Sequence, residues 1–193
     1  MNTRSPILET HALSKSFGGV VAVDNVDFQL QEGELRCLIG PNGAGKSTFF
    51  KMLCGQLKPS AGRVTLRGVD TTTAEPHEIA RRGVGIKTQV PNLFDGLSVR
   101  EHLWLAARRR ASERDATRIV DEMLTRIRMG PRASHRVGEL AHGERQWVEI
   151  GIVLAGDPQL LLLDEPTAGM TQEEVAATAE LLQEGFDEAF REV

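Results

Sequence analysis

At 193 residues the chain is long enough to bury a sizeable core as one domain with a subdomain, and 40% hydrophobic against 26% charged residues is an ordinary globular balance. A formal charge of −4, from 23 basic and 27 acidic side chains, argues against nucleic acid as the main partner. The one dense basic run, Arg108-Arg109-Arg110, is followed closely by Glu113 and Asp115, as on a solvated helix face. The longest apolar stretches, residues 150–155 and 160–163, are far too short to cross a bilayer, and no charged-then-apolar leader opens the sequence. Cys37 and Cys54 lie in apolar runs without a metal-ligand pattern, and are expected as reduced core residues of a cytosolic protein.

Residues 7–13 read as a first strand, and Val26, Phe28 and Leu30 alternate as a second. Between them Phe17 precedes Gly18 and Gly19, which leave its ring open either to stack on a purine or to pack at a strand end. The apolar run Leu35-Arg36-Cys37-Leu38-Ile39 is expected as a strand. It leads into Gly40-Pro41-Asn42-Gly43-Ala44-Gly45-Lys46-Ser47, then a helix over residues 48–54 with Gly55 as its cap. Strand, glycine-rich loop and helix are the context in which G-x-x-x-x-G-K-[ST] cradles phosphate. The glycines let backbone N–H groups turn inward around an anion, and the helix start adds unpaired N–H groups and the positive end of its dipole. Lys46 is then placed to reach the outer phosphates of a nucleoside triphosphate, with the Ser47 hydroxyl on Mg2+.

Residues 59–62 form a turn, 63–67 a short strand, 76–82 a helix started by proline, and 84–88 a strand ending at Gln89. Ser98 and Glu101 have capping-box spacing and open a helix to about Arg110. Ile119, Val120, Met123, Leu124 and Ile127 give a second amphipathic helix, stopped by Gly130-Pro131. Next come Leu140-Ala141-His142-Gly143-Glu144-Arg145-Gln146 and an apolar-faced helix that Gly156-Asp157-Pro158 ends, so residues 90–155 are mainly helical. Four leucines, 160–163, predict a strand buried on both faces of a parallel sheet. Of the carboxylates that follow, Asp164 suits Mg2+ and Glu165 suits orienting or deprotonating a water; a strand end merely emerging into solvent is the other reading. Thr171 and Glu174 have capping-box spacing for a last helix through Leu182.

Together these motifs resemble the nucleotide-binding subunit of an ABC transporter, over nearly the whole chain to about residue 182. The resemblance implies an α/β fold: a P-loop NTPase core of the RecA-like, ABC type with an N-terminal antiparallel β subdomain and an inserted α-helical subdomain. Residues 1–89 and 156–193 would form the core with the β subdomain, and 90–155 the helical subdomain. It implies ATP contacts at Phe17, Gly40, Pro41, Asn42, Gly43, Ala44, Gly45, Lys46, Ser47 and Thr48, and Mg2+ on Ser47, Gln89 and Asp164. Glu165 and Gln89 take the catalytic positions. Leu140, Ala141, His142, Gly143 and Glu144 take that of the LSGGQ signature, without its serine and one glycine, serving the nucleotide of a second subunit. Implied partners are a second ABC ATPase subunit (homo- or heterodimer), transmembrane permease subunits and, indirectly, a substrate-binding protein, with the chain peripheral on the cytoplasmic face of the inner or plasma membrane. The signature variant, with Ala168-Gly169-Met170-Thr171 and Gly33-Glu34-Leu35-Arg36, resembles the group importing branched-chain (hydrophobic) amino acids, or urea and short amides.

The resemblance lapses at residues 183–193, which are polar and acidic where the family has a β-branched core strand ending in a switch histidine. A C-terminally truncated chain is therefore expected, lacking a strand that in the family lies between the strands before Gly40 and before Asp164. A truncated or frameshifted product, closure of the gap by the flanking strands, or an unstable chain would each follow. An ATPase that binds and hydrolyses ATP to energise an ABC importer is the first reading the resemblance implies, and a module that binds nucleotide without hydrolysing it is the second. A small P-loop kinase is the third, and gives residues 140–146 no role.

Overall fold

The computed structural model describes residues 6–89 and 92–191, the side chains of 184–191 excepted. Val90 and Pro91, where the expected helical stretch begins, and the last two residues lie outside the described residues. The chain forms two compact units, residues 1–82 and 83–193.

In the first unit β1 (Pro6–Phe17) and β2 (Val20–Gln31) make an antiparallel hairpin closed by Gly18 and Gly19, with Phe17 opposite Val20. Both strands run longer than their alternation suggests, because the pairing register shifts between Thr10 and Leu13 and again beyond it. Ala12 and Asn25 take positive φ there, and a bulge reverses which side faces in. The freed backbone groups are paired: Ala12 N–H donates to Asp27 Oδ1 at 2.8 Å, and Asn25 N–H to Ser14 Oγ at 2.8 Å. β3 (Ala61–Leu66) lies on the other side of β1 and carries β4 (Val69–Asp70), giving the order β2-β1-β3-β4. Helix α1 (Lys46–Leu53) buries Phe49, Met52 and Leu53, with the Phe49 ring edge-on to Phe28 of β2 at 5.8 Å. Helix α2 (Pro76–Arg81) has its proline in the first turn and buries Ile79.

Residues 35–39 are not a strand. Leu35, Leu38 and Ile39 are 76%, 53% and 84% exposed, and Cys37 is exposed where a core residue was expected; Cys54 is buried. Apolar composition supplies strand propensity, but a strand exists only where a neighbour completes its hydrogen-bond ladder. Among the described residues this run belongs to no sheet, so it does not close the expected gap.

In the second unit β5 (Val84–Lys87) and β6 (Leu160–Leu163) pair in parallel, Val84 opposite Leu160 and Lys87 opposite Leu163. Leu160 and Leu162 are buried, whereas Leu161 and Leu163 are half-buried, which corrects the strand expected to be covered on both faces. Four leucines state hydrophobicity, not how many layers cover it. Helices α3 (Val99–Ala107), α4 (Glu113–Arg126) and α5 (His142–Ala155) share one core. Leu103, Val120, Met123, Leu124, Ile127 and Ile150 fill it, as the spacing on α4 predicts. Helix α6 (Gln172–Arg191) runs past the expected end at Leu182, where Gln183, Glu184, Glu188, Ala189 and Arg191 are good helix formers. Among the described residues no helix is long and apolar enough to cross a membrane.

The start of α3 has the expected capping box: Ser98 N–H donates to Glu101 Oε2 at 2.7 Å, and Glu101 N–H to Ser98 Oγ at 3.2 Å. Accepting the Ser98 backbone N–H, and then its hydroxyl, holds the Glu101 carboxyl below its ordinary range. The stability this adds is full above the unfolded value of about 4.3 and is lost as pH falls through the lower folded value. Melting curves between neutral pH and pH ~3 should therefore show a shallower acid limb for Glu101→Gln than for the unaltered chain; parallel limbs would contradict this assignment.

Candidate functional site

The phosphate-type loop begins from the irregular, exposed run described above and ends as α1 starts. Gly45 caps the helix with φ 85°, and a Cβ there would stand 2.2 Å from the Ala22 carbonyl oxygen of β2. Only glycine fits both demands. The first helical bond inside the turn is Phe49 N–H to Gly45 O at 2.8 Å, so the N–H groups of Lys46, Ser47 and Thr48 belong to the unpaired first turn of a helix. No acidic residue lies in that turn to offset its positive end. Lys46 Nζ donates to the carbonyls of Gly40 at 2.6 Å and Pro41 at 2.8 Å, which holds the ammonium across the loop. Pro41, Asn42, Gly43 and Ala44 are exposed. Phe17, at the end of β1, is 47% exposed, and Lys15 Nζ lies 5.2 Å from its ring centroid. An exposed ring at a hairpin tip is open for stacking rather than spent on the core.

In the second unit the two carboxylates stand where β6 ends. Asp164 N–H still donates to Lys87 O at 2.9 Å, and the chain then turns sharply, with Glu165 at φ 49°. That left-handed conformation is uncommon for a glutamate. Gln89, beyond the end of the neighbouring β5, donates Nε2–H to Glu165 Oε2 at 2.9 Å. Parallel pairing of β5 with β6 is what brings these two exposed side chains together.

Leu140 is buried and anchors the signature-like segment; Ala141 and His142 are exposed, and Gly143 is buried in the first turn of α5. Glu144 reaches back to accept Ala141 N–H at 3.0 Å, half of a capping box whose other half an alanine cannot supply. His142 Nε2 lies 3.0 Å from the Ala168 carbonyl oxygen and 3.3 Å from Gln146 Nε2. The loop after β6 is thereby tied to the start of α5. Glu174, which sequence reasoning placed only as a cap, also belongs here: a Cβ on Gly143 would meet its Oε1 at 2.0 Å. Its carboxyl is held below the ordinary range chiefly by the Thr171 N–H, then by the Thr171 hydroxyl, with His142 nearby adding a smaller effect. Nothing local in the sequence announces that contact, because Gly143 and Glu174 meet only through the packing of α5 and α6.

These residues fit the cofactors implied. The loop presents unpaired N–H groups and a cation for phosphate. Among the described residues no group of three or more His, Cys, Asp or Glu could hold a metal ion. Mg2+ asks for none, since it keeps waters and takes one or two protein oxygens beside phosphate oxygens; Ser47 and Asp164 have the right chemistry.

A glycine-rich loop opening a helix, in an α/β chain with paired carboxylates at a strand end, defines a P-loop nucleotide-binding fold. The profile described as "ABC transporter" matches residues 23–168. The chain is 39% identical over 181 residues to a ribose import ATP-binding protein of Streptomyces coelicolor, covering 91% of this chain and 35% of that protein. It is 38% identical over 170 residues to Nod factor export ATP-binding protein I of Rhizobium johnstonii, covering 86% of this chain and 53% of that one. A dimeric ATP-binding cassette solved in a post-hydrolysis state with ADP and Pi matches with a TM-score of 0.83 at 25% identity, over 94% of this chain and 83% of that chain. The chain belongs to the ABC transporter family, with its P-loop α/β fold, antiparallel sheet and helical subdomain. The kinase alternative falls with that membership. The chain spans 35% and 53% of the lengths of these two curated relatives.

Within residues 40–47, Gly45 is the glycine whose change should be felt most. Alanine there combines a left-handed strain of about 1–2 kcal/mol with an overpacking cost of about 1–3 kcal/mol. Gly40 differs, since its Cβ would lie at an ordinary 3.6 Å from Ala44. Titration with a fluorescent ATP analogue should show binding lost in Gly45→Ala and retained in Gly40→Ala.

Proposed function

We propose that this chain is the ATP-binding and hydrolysing subunit of an ABC importer, working as a dimer on transmembrane permease subunits at the cytoplasmic face of the membrane. The observation that carries the reading is the loop at residues 40–47, with Gly45 seated on β2 and Lys46 held across it. Its N–H groups and Lys46 bind the phosphates, and Phe17 stacks on the base. Ser47, Gln89 and Asp164 would hold Mg2+, which would supply charge neutralisation for the phosphoryl oxygens. Glu165 orients and deprotonates the attacking water, and the hydrogen bond from Gln89 fixes its carboxylate. Leu140 to Glu144 of one copy would face the nucleotide of the other. Gly143 and the α5 N-terminus serve there as an anion site without the missing serine. Residues 90–155 act as the helical subdomain.

Two supports for the solute point in different directions. The Leu140-Ala141-His142-Gly143-Glu144 variant resembles importers of branched-chain amino acids, urea or short amides. The names of the relatives weigh toward ribose import or Nod factor export. Uptake into vesicles holding the chain with its permease separates these solutes.

The ATPase reading itself is tested by two substitutions. Lys46→Ala should weaken ATP binding at least ~10-fold, the worth of a charge-assisted contact. Glu165→Gln should keep ATP bound while turnover falls at least ~100-fold. Background turnover by the unaltered chain with its partners present would instead make it a binding module.

A further inference from the structure

Helix α5 carries a carboxylate on its buried side. Glu149 is 7% exposed, and its two oxygens go to two points of one segment. Oε1 accepts the Asn92 backbone N–H at 2.7 Å, and Oε2 faces Lys87 Nζ at 3.3 Å. Lys87, the last residue of β5, is itself only 2% exposed. Lys87 and Asn92 bracket Gln89, whose amide holds Glu165. One turn earlier on the same side of α5, Arg145 pairs with Asp95 at 2.7 Å. The helix bearing these anchors opens at His142, itself bonded to the Ala168 carbonyl.

Packing does not ask for a buried ion pair, since apolar side chains of similar volume serve a core as well or better. What the pair adds is geometry. A carboxylate whose Oε1 accepts the Asn92 N–H and whose Oε2 lies 3.3 Å from the Lys87 ammonium fixes those two groups against one helix.

We propose that Glu149 is a positioning residue for Gln89. By holding Lys87 on one side of Gln89 and Asn92 on the other, it sets the reach of Gln89 to Glu165 and ties both residues to the helix that opens at His142. The catalytic consequence rests on the ATPase reading above; the anchoring itself does not.

The test uses the full chain with Glu149→Ala, Glu149→Gln, Lys87→Met and the double variant Lys87→Met/Glu149→Gln. Hydrogen exchange at the Asn92 amide should accelerate at least ~10-fold in Glu149→Ala and stay within about threefold in Glu149→Gln, which keeps an acceptor oxygen. In hydrolysis, kcat should fall at least ~10-fold in Glu149→Ala with KM for ATP within about twofold, because the loop bearing Lys46 is untouched. The double variant, balanced in charge and still able to accept, should recover kcat to within about threefold of the unaltered chain. Unchanged Asn92 exchange in Glu149→Ala overturns the proposal. So does a double variant that regains its melting temperature but not its kcat. If Glu149→Ala does not fold, Glu149→Met, which fills the volume but offers no acceptor oxygen to the Asn92 N–H, carries the same comparison. An unaltered chain that hydrolyses no ATP sinks the ATPase reading instead, and exchange at Asn92 still decides whether Glu149 holds the segment.

Discussion

The second unit depends on how α5 is buried. Its apolar side enters the core of α3 and α4 so closely that a Cβ on Gly151 would meet Ile127 at 2.9 Å and Leu103 at 3.1 Å. Full burial of Val148 and Ile150 contributes about 1.5–3 kcal/mol each. Gln146 and Glu149 are buried on the same helix, so it must satisfy polar groups inside while packing apolar ones. Helix position and polar partners are therefore decided together. Moving α5 to relieve one set of contacts would break the other. The loop after β6, the residues around Gln89 and the start of α5 take their places from that single requirement.

The first unit is governed by a shorter-range constraint, the close approach of Gly45 to the β2 backbone. Everything needed for it lies in the hairpin and the loop: an αL position, no side chain, and a carbonyl in the way of any other residue. That locality is why the loop was legible from spacing alone. The hairpin itself was only partly legible. Bulges at Ala12 and Asn25 interrupt the period of two, and a reader counting alternation stops where the register shifts.

Residues 35–39 and 160–163 mark the limit of local reading. Both are apolar runs of strand length beside a motif. One became a strand because β5 lay parallel to it; the other is irregular and exposed, belonging to no sheet among the described residues. Composition was the same kind of signal in each. Pairing, which is a property of distant chain, separated them. On the site, Gln89 and Glu165 were each recognisable, yet their hydrogen bond follows from the register of β5 on β6. Glu149 had no signal beyond a charge on a helix, and Glu174 none beyond its capping-box spacing from Thr171.

The sequence by itself determined the phosphate loop, the carboxylates after the leucine strand, the signature-like helix start and the capping boxes at Ser98 and Thr171. Each of these is a matter of residues within a few positions of one another, where backbone geometry and side-chain reach suffice. Only the tertiary structure decided which apolar runs became strands, which face of β6 was covered, and which charges were buried together. Those outcomes depend on partners far along the chain, brought close by packing rather than by spacing.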